Sequence, residues 1–223
     1  MNHPYADWMI QDLEDNIFLS KESGYGIDNP KANFFNRGGF TLQPNLLDLG
    51  QVYLLRDQLP HFLRAFYNTA WVSLYPDILC FAEWVPSLGR GGGPLFKTPD
   101  ECRFIQWMRN MLVCERGNDL ELGLGVPRAW MQHGKQIKIE RAATWFGKVD
   151  LDIQSKADAD QVDARVRLAV TDAPRVIWLR LRHPQNKPIR AATVNGQPAR
   201  IDQERQLIAL PAQTGQWQVV ADF

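Results

Sequence analysis

What this sequence lacks narrows its function before any motif is read. There is no cationic excess, since 25 Lys and Arg balance 25 Asp and Glu. A phosphate-tracking surface needs clustered positive charge, so nucleic acid is disfavoured as a partner. Cysteine is scarce: Cys80, Cys102 and Cys114 show no CxxC spacing and are odd in number, which argues against a disulfide framework and a thiolate metal site. His3, His61, His133 and His183 stand singly, so no metal or other cofactor is expected. No apolar run approaches the ~20 residues of a membrane helix. The opening residues offer neither a basic n-region nor an apolar h-region. The expectation is a soluble protein without a membrane partner, cytoplasmic by default and secreted if the native N-terminus lies upstream. The sequence has no GxSxG elbow, and Gly91-Gly92-Gly93 is not followed by the Lys-Ser/Thr of a phosphate loop, which speaks against nucleotide binding.

What is present is ordinary globular material. Hydrophobic residues make up 45% and charged residues 22%, enough to bury a core and too little imbalance for disorder. The eight tryptophans are many; they suit a core and also the stacking faces of a sugar cleft.

Side-chain rhythm divides the chain. Tyr5, Trp8, Met9, Leu13 and Ile17 predict a helix over 4–22, ended by Ser23-Gly24-Tyr25-Gly26. A loop carrying Gly38-Gly39 follows, then a helix from about Gln43 to Arg56. Leu59, Phe62, Leu63, Phe66, Tyr67, Ala70, Trp71 and Leu74 repeat at helical spacing over 59–75, a stripe that reads as core, and Pro76 stops it. Thr98-Pro99-Asp100-Glu101 reads as a capping box that opens a helix ending near Gly117. Beyond Gly117–Pro127 the period falls from 3.6 to 2. Val149, Leu151 and Ile153 alternate, as do Val162, Ala164, Val166, Leu168 and Val170, then Ile177, Leu179 and Leu181, and later Trp217, Val219 and Ala221. Arg180 and Arg182 interleave with that third group and are expected to face solvent. Asn195-Gly196 predicts a type I′ hairpin turn. The fold class expected is α+β, with a helical domain over 1–120 and an antiparallel β-sandwich over 121–223.

Several motifs go further. Phe35-Asn-Arg-Gly-Gly-Phe40, Phe96-Lys-Thr-Pro-Asp-Glu101, Trp107-Met-Arg-Asn-Met-Leu-Val113, Gly125-Val-Pro-Arg-Ala-Trp130 and Ala143-Thr-Trp-Phe-Gly147 resemble the C-terminal region of bacterial six-hairpin glycosidase-like proteins. Leu179-Arg-Leu-Arg-His-Pro184 and Val194-Asn-Gly196 resemble their trailing sandwich. The resemblance implies a partial (α/α)6 toroid in front of the sandwich, and more distantly it extends to α-L-rhamnosidases of that toroid type. An (α/α)6 toroid needs twelve helices and this chain has room for about four. It therefore implies a hydrolase-like piece acting on glycans, inactive alone where the toroid is incomplete, whose partners are a carbohydrate and either the rest of a toroid or a second copy.

Glycoside hydrolysis uses two carboxylic acids. By resemblance Cys80-Phe-Ala-Glu-Trp84 sits where rhamnosidase-like proteins carry a catalytic Glu in a Trp-Glu-Arg-Trp stretch, which makes Glu83 the first candidate, although the flanking Trp and the Arg are missing. From the residues themselves, Glu83 follows a buried helix among apolar neighbours that would raise its pKa, with Trp84 beside it for substrate. Glu14 and Asp15 are second candidates. Asn36, Arg37, Gln43 and Asn45, around the double glycine, could hydrogen-bond sugar hydroxyls, and Arg37 suits a uronate carboxylate. Two other readings compete: a non-catalytic module that braces a partner domain or holds a carbohydrate, and a polysaccharide lyase using Tyr25 or Tyr67 with Arg37.

Overall fold

The computed structural model describes residues 3–11, 49–83, 92, 93, 95 and 98–223. The chain divides into two compact units, Met1–Met108 and Arg109–Phe223.

In the first unit the described helices are α1 (Pro4–Gln11), α2 (Leu49–Leu55) and α3 (Leu59–Ser73), and α4 (Thr98–Leu112) begins there. α3 has proline in its first turn, where no intrahelical N–H is required. It buries Leu59, Phe62, Phe66, Thr69 and Ser73, residues three or four apart on one face. It stops because Leu74 turns extended (ψ 128) and enters the hairpin of β1 (Leu74–Tyr75) and β2 (Cys80–Phe81), where Leu74 pairs with Phe81. Leu79, at φ 53, carries the hairpin turn in the left-handed region. Phe104 of α4 lies 4.6 Å from both Phe66 and Phe81, closing an aromatic cluster. A Cβ on Gly50 of α2 would stand 2.7 Å from the Trp107 ring, so only glycine allows this approach.

The expected partial (α/α)6 toroid is overturned. Among the described residues thirteen strands in three sheets stand against four helices, the longest of 15 residues, and α3 leads into a hairpin. The chain is mostly β. Helical periodicity fixes which face of a helix is buried and says nothing of what buries it, so one amphipathic helix reads alike in a toroid and in a mixed unit. None of the described helices is long and apolar enough to cross a membrane.

The second unit holds two sheets. The strands of the first are β5 (Gln136–Thr144), β6 (Gly147–Lys156), β7 (Gln161–Val170), β9 (Ala191–Val194), β10 (Gln197–Pro198) and β13 (Gly215–Asp222), in the order β10-β9-β13-β7-β6-β5. The other sheet comprises β3 (Val113–Arg116), β4 (Asp119–Leu122), β8 (Val176–Leu179), β11 (Ile201–Asp202) and β12 (Leu207–Leu210), in the order β11-β12-β8-β4-β3. Leu151, Ile153, Val166, Trp217 and Val219 of the six-stranded sheet share one core with Leu120, Leu122, Ile177, Leu179 and Ile208 of the five-stranded sheet. The sandwich is not wholly antiparallel, because β4 and β8 pair in parallel, Leu120 opposite Ile177.

Two tight turns set strand registers. Asn195 (φ 50) and Gly196 (φ 78) both take the positive φ that a type I′ turn needs, and Val194 pairs with Gln197. At the β5–β6 hairpin Gly147 has φ 128, and a Cβ there would sit 1.9 Å from the Ala169 carbonyl oxygen. Thr144 Oγ1 donates to the Gly147 carbonyl (2.6 Å) and accepts from Phe146 N (3.1 Å), leaving Trp145 at the tip, 71% exposed.

Candidate functional site

Period-2 alternation sends one set of side chains of β5, β6, β7 and β13 into the core and the other set outward. The register lines the outward residues into rows across the sheet. Lys138 faces Asp152, Asp152 faces Arg165, and Arg165 faces Gln218. One row over, Asp150 faces Arg167 and Arg167 faces Gln216; on the other side Gln136 faces Gln154 and Gln154 faces Asp163. Between these rows lie two open hollows, of about 310 Å³ and about 480 Å³. Asp152 and Arg165 line both, so the two hollows adjoin on the outer face of the sheet as one polar trough flanking these residues.

The trough is held in shape by its own polar contacts. Gln136 Nε2 donates to Asp152 Oδ1 (2.7 Å), and Lys156 pairs with Asp163 (2.5 Å). β5 bulges between Ile139 and Ala142, and Arg141, at φ 54, turns its backbone N–H onto Asp150 Oδ1 at 2.6 Å. Glu140 hydrogen-bonds Lys138 and raises its ammonium pKa. Amides, carboxylates and guanidinium groups thus alternate on a firm floor. Such a surface can exchange hydrogen bonds with a ligand rich in hydroxyls.

The five-stranded sheet presents a different outer face. Glu121 is 1% exposed; its Oε1 accepts from Arg205 Nη2 at 2.7 Å, and its Oε2 lies 3.6 Å from Arg116 Nη1. Cys114 pairs across the strands with Glu121, and burial together with the Glu121 and Glu115 charges pushes its thiol up to about 12. At the edge Arg109 grips Glu115 with both guanidinium nitrogens and also donates to the Val113 and Ala143 carbonyls (2.9 and 2.7 Å). Burial would raise the Glu115 pKa, but the Arg109 contact outweighs it and holds the carboxyl below the usual range.

Besides Tyr67 of the lyase reading, Glu83 alone of the candidates expected from sequence is described. It occupies a bend just past β2, half-buried, and the segment leading to it is sealed: Cys80, Phe81 and Ala82 are 6%, 5% and 0% exposed. Phe81 N donates to Glu101 Oε1 (2.9 Å) and Ala82 N to the Ser73 carbonyl (2.7 Å). Glu101, expected to close a capping box, thus reaches the hairpin. Glu14, Asp15, Asn36, Arg37, Gln43, Asn45 and Trp84 lie outside the described residues, as does Tyr25.

Two expectations about faces fail. Arg180, expected in solvent, is buried at 4%, donating to the Leu124 carbonyl (3.0 Å) and the Arg205 carbonyl (2.8 Å); β8 ends at Leu179, so strict alternation no longer applies to it. Trp71 and Tyr67, read as core, are 76% and 45% exposed, and with Ala70, Leu74 and Pro76 they line an apolar hollow of about 340 Å³. α3 buries the Phe62–Phe66–Thr69–Ser73 face, and its stripe was read too wide.

No trough residue was singled out from sequence, although the signal was there. Lys138, Asp150, Asp152, Asp163, Arg165 and Arg167 occupy the alternate positions of strands whose other positions are apolar. Only the register brings them together. Among the described residues, no three His, Cys, Asp or Glu are grouped to hold a metal ion.

Fold and surface together define a mostly β chain whose C-terminal unit is a two-sheet sandwich with one open polar face. No protein-family model matches it, and no curated protein does.

Proposed function

We propose that this chain is a non-catalytic, glycan-binding part of a glycosidase-like protein, and that the polar trough on the six-stranded sheet is where the saccharide lies. The observation that carries the reading is the trough itself: a hollow in the size range of small-molecule sites, floored by side chains that both donate and accept hydrogen bonds. Sugar hydroxyls are matched by such groups. Cys80, Phe81 and Ala82, which lead to the half-buried Glu83, are themselves buried, so this stretch offers no groove for a glycosidic bond, which favours binding over hydrolysis.

Calorimetric titration of the full chain with a panel of oligosaccharides tests the reading, alongside release of reducing ends from the same sugars. Binding without turnover, weakened by Gln218→Ala together with Asp152→Ala, is the expected result. Turnover abolished by Glu83→Gln would replace this reading with the hydrolase.

A further inference from the structure

We infer that the trough takes an anionic saccharide, a glycan bearing carboxylates of the hexuronate kind, and that Arg165 is the residue that clamps the carboxylate. This rests on the glycan-binding reading of the same face and adds its ligand class.

Arg165 stands on the central strand β7, exposed, at the junction of the two hollows. Around it every acid already has a donor. Asp152 accepts from Gln136 (2.7 Å), Asp150 accepts from the Arg141 backbone (2.6 Å) and lies 3.9 Å from Arg167, Glu140 holds Lys138, and Asp163 holds Lys156. The Arg165 side chain makes no hydrogen bond or ion pair among the described residues. The larger hollow sets Lys138, Arg141, Arg165 and Arg167 against Glu140, Asp150 and Asp152, which leaves one positive charge in excess. A guanidinium offers a planar fork that fits a carboxylate through two parallel N–H···O bonds. Next to it, Gln216 and Gln218 on β13 present amides to hydroxyls of the same sugar ring. A neutral sugar would use the amides and leave the fork to water. A uronate uses both.

The test is calorimetric titration of the full chain with trigalacturonate and with its fully methyl-esterified form, which keeps the rings and removes the charge. The acid form is expected to bind on the order of tenfold tighter, as a charge-assisted hydrogen bond implies. Arg165→Gln should remove that advantage, so that acid and ester bind with like affinity, and Arg165→Lys should restore only part of it. Arg165 is exposed, so the thermal midpoint of each variant should match the parent chain and exclude misfolding. Equal binding of acid and ester, or an acid preference that survives Arg165→Gln, would overturn the clamp and leave the glycan reading standing. Binding of neither form would overturn both.

Discussion

The two sheets of the sandwich share one core, yet their outer faces follow opposite rules. On the six-stranded sheet the outward positions are wet, and Lys138, Asp152 and Arg165 stand opposite one another in cross-strand register. On the five-stranded sheet the corresponding positions are drier: Cys114, Glu121 and Leu207 are each exposed by 1% or less, and Trp178 and Ala209 are half-buried. The difference decides what a charged residue means. A carboxylate on the wet face loses little solvation and stays within reach of a ligand. Glu121, taken out of water, must be satisfied by protein, and Arg205 and Arg116 supply the charge.

Substitutions sharpen that contrast. Glu121→Ala removes a buried carboxylate that accepts from Arg205 and should cost about 2 kcal/mol in urea unfolding; a loss near zero would mean that the face is hydrated. Gly196→Ala puts a side chain at φ 78 in the β9–β10 turn and should cost about 1 kcal/mol. Asp152→Ala, on the wet face, should change stability by under about 0.5 kcal/mol, and a penalty as large as that of Glu121→Ala would erase the distinction.

Acid separates the edge pair from the rest. The Glu115 carboxyl is held below its unfolded value, so its contribution is present above the ordinary carboxylate pKa of about 4.3 and is lost as pH falls through the depressed one. The stability gap between the parent chain and Glu115→Gln should therefore be full at pH 7 and close in strong acid; a gap that persists there would contradict the Arg109 contact as its cause. The smallest effect is kinetic. Cys102 is exposed, whereas Cys80 and Cys114 are buried. A thiol reagent at pH 8 should label Cys102 first and leave Cys114, with its raised thiol pKa, protected until the chain unfolds.

The same contrast explains what could be read from the sequence. Alternation over Val162–Val170 marked the inward face of β7 because its other face is wet, and Asn195-Gly196 marked a turn because few other pairs tolerate two positive φ angles. β4 was missed although Asp119-Leu120-Glu121-Leu122 alternates polar and apolar: it is only four residues long, all four are buried, and its parallel partner β8 lies more than fifty residues on. Arg180 was misplaced because polarity was taken as a sign of solvent where carbonyls do its work. Trp71 failed in the other direction, because hydrophobicity was taken as a sign of burial on a helix that buries only one narrow face. The toroid failed at a higher level, where helix neighbours are set by contacts that no local pattern encodes. The trough needed register, which brings Lys138, Asp152, Arg165 and Gln218 from four strands into one row.

Mapping amide chemical shifts of the full chain during titration with an oligosaccharide tests the central claim most directly. The account predicts perturbations concentrated on Gln136, Lys138, Asp152, Arg165 and Gln218, with Cys114 and Glu121 on the opposite sheet unmoved. Shifts gathered around Glu83, or a titration that moves no residue of the six-stranded sheet, would contradict it.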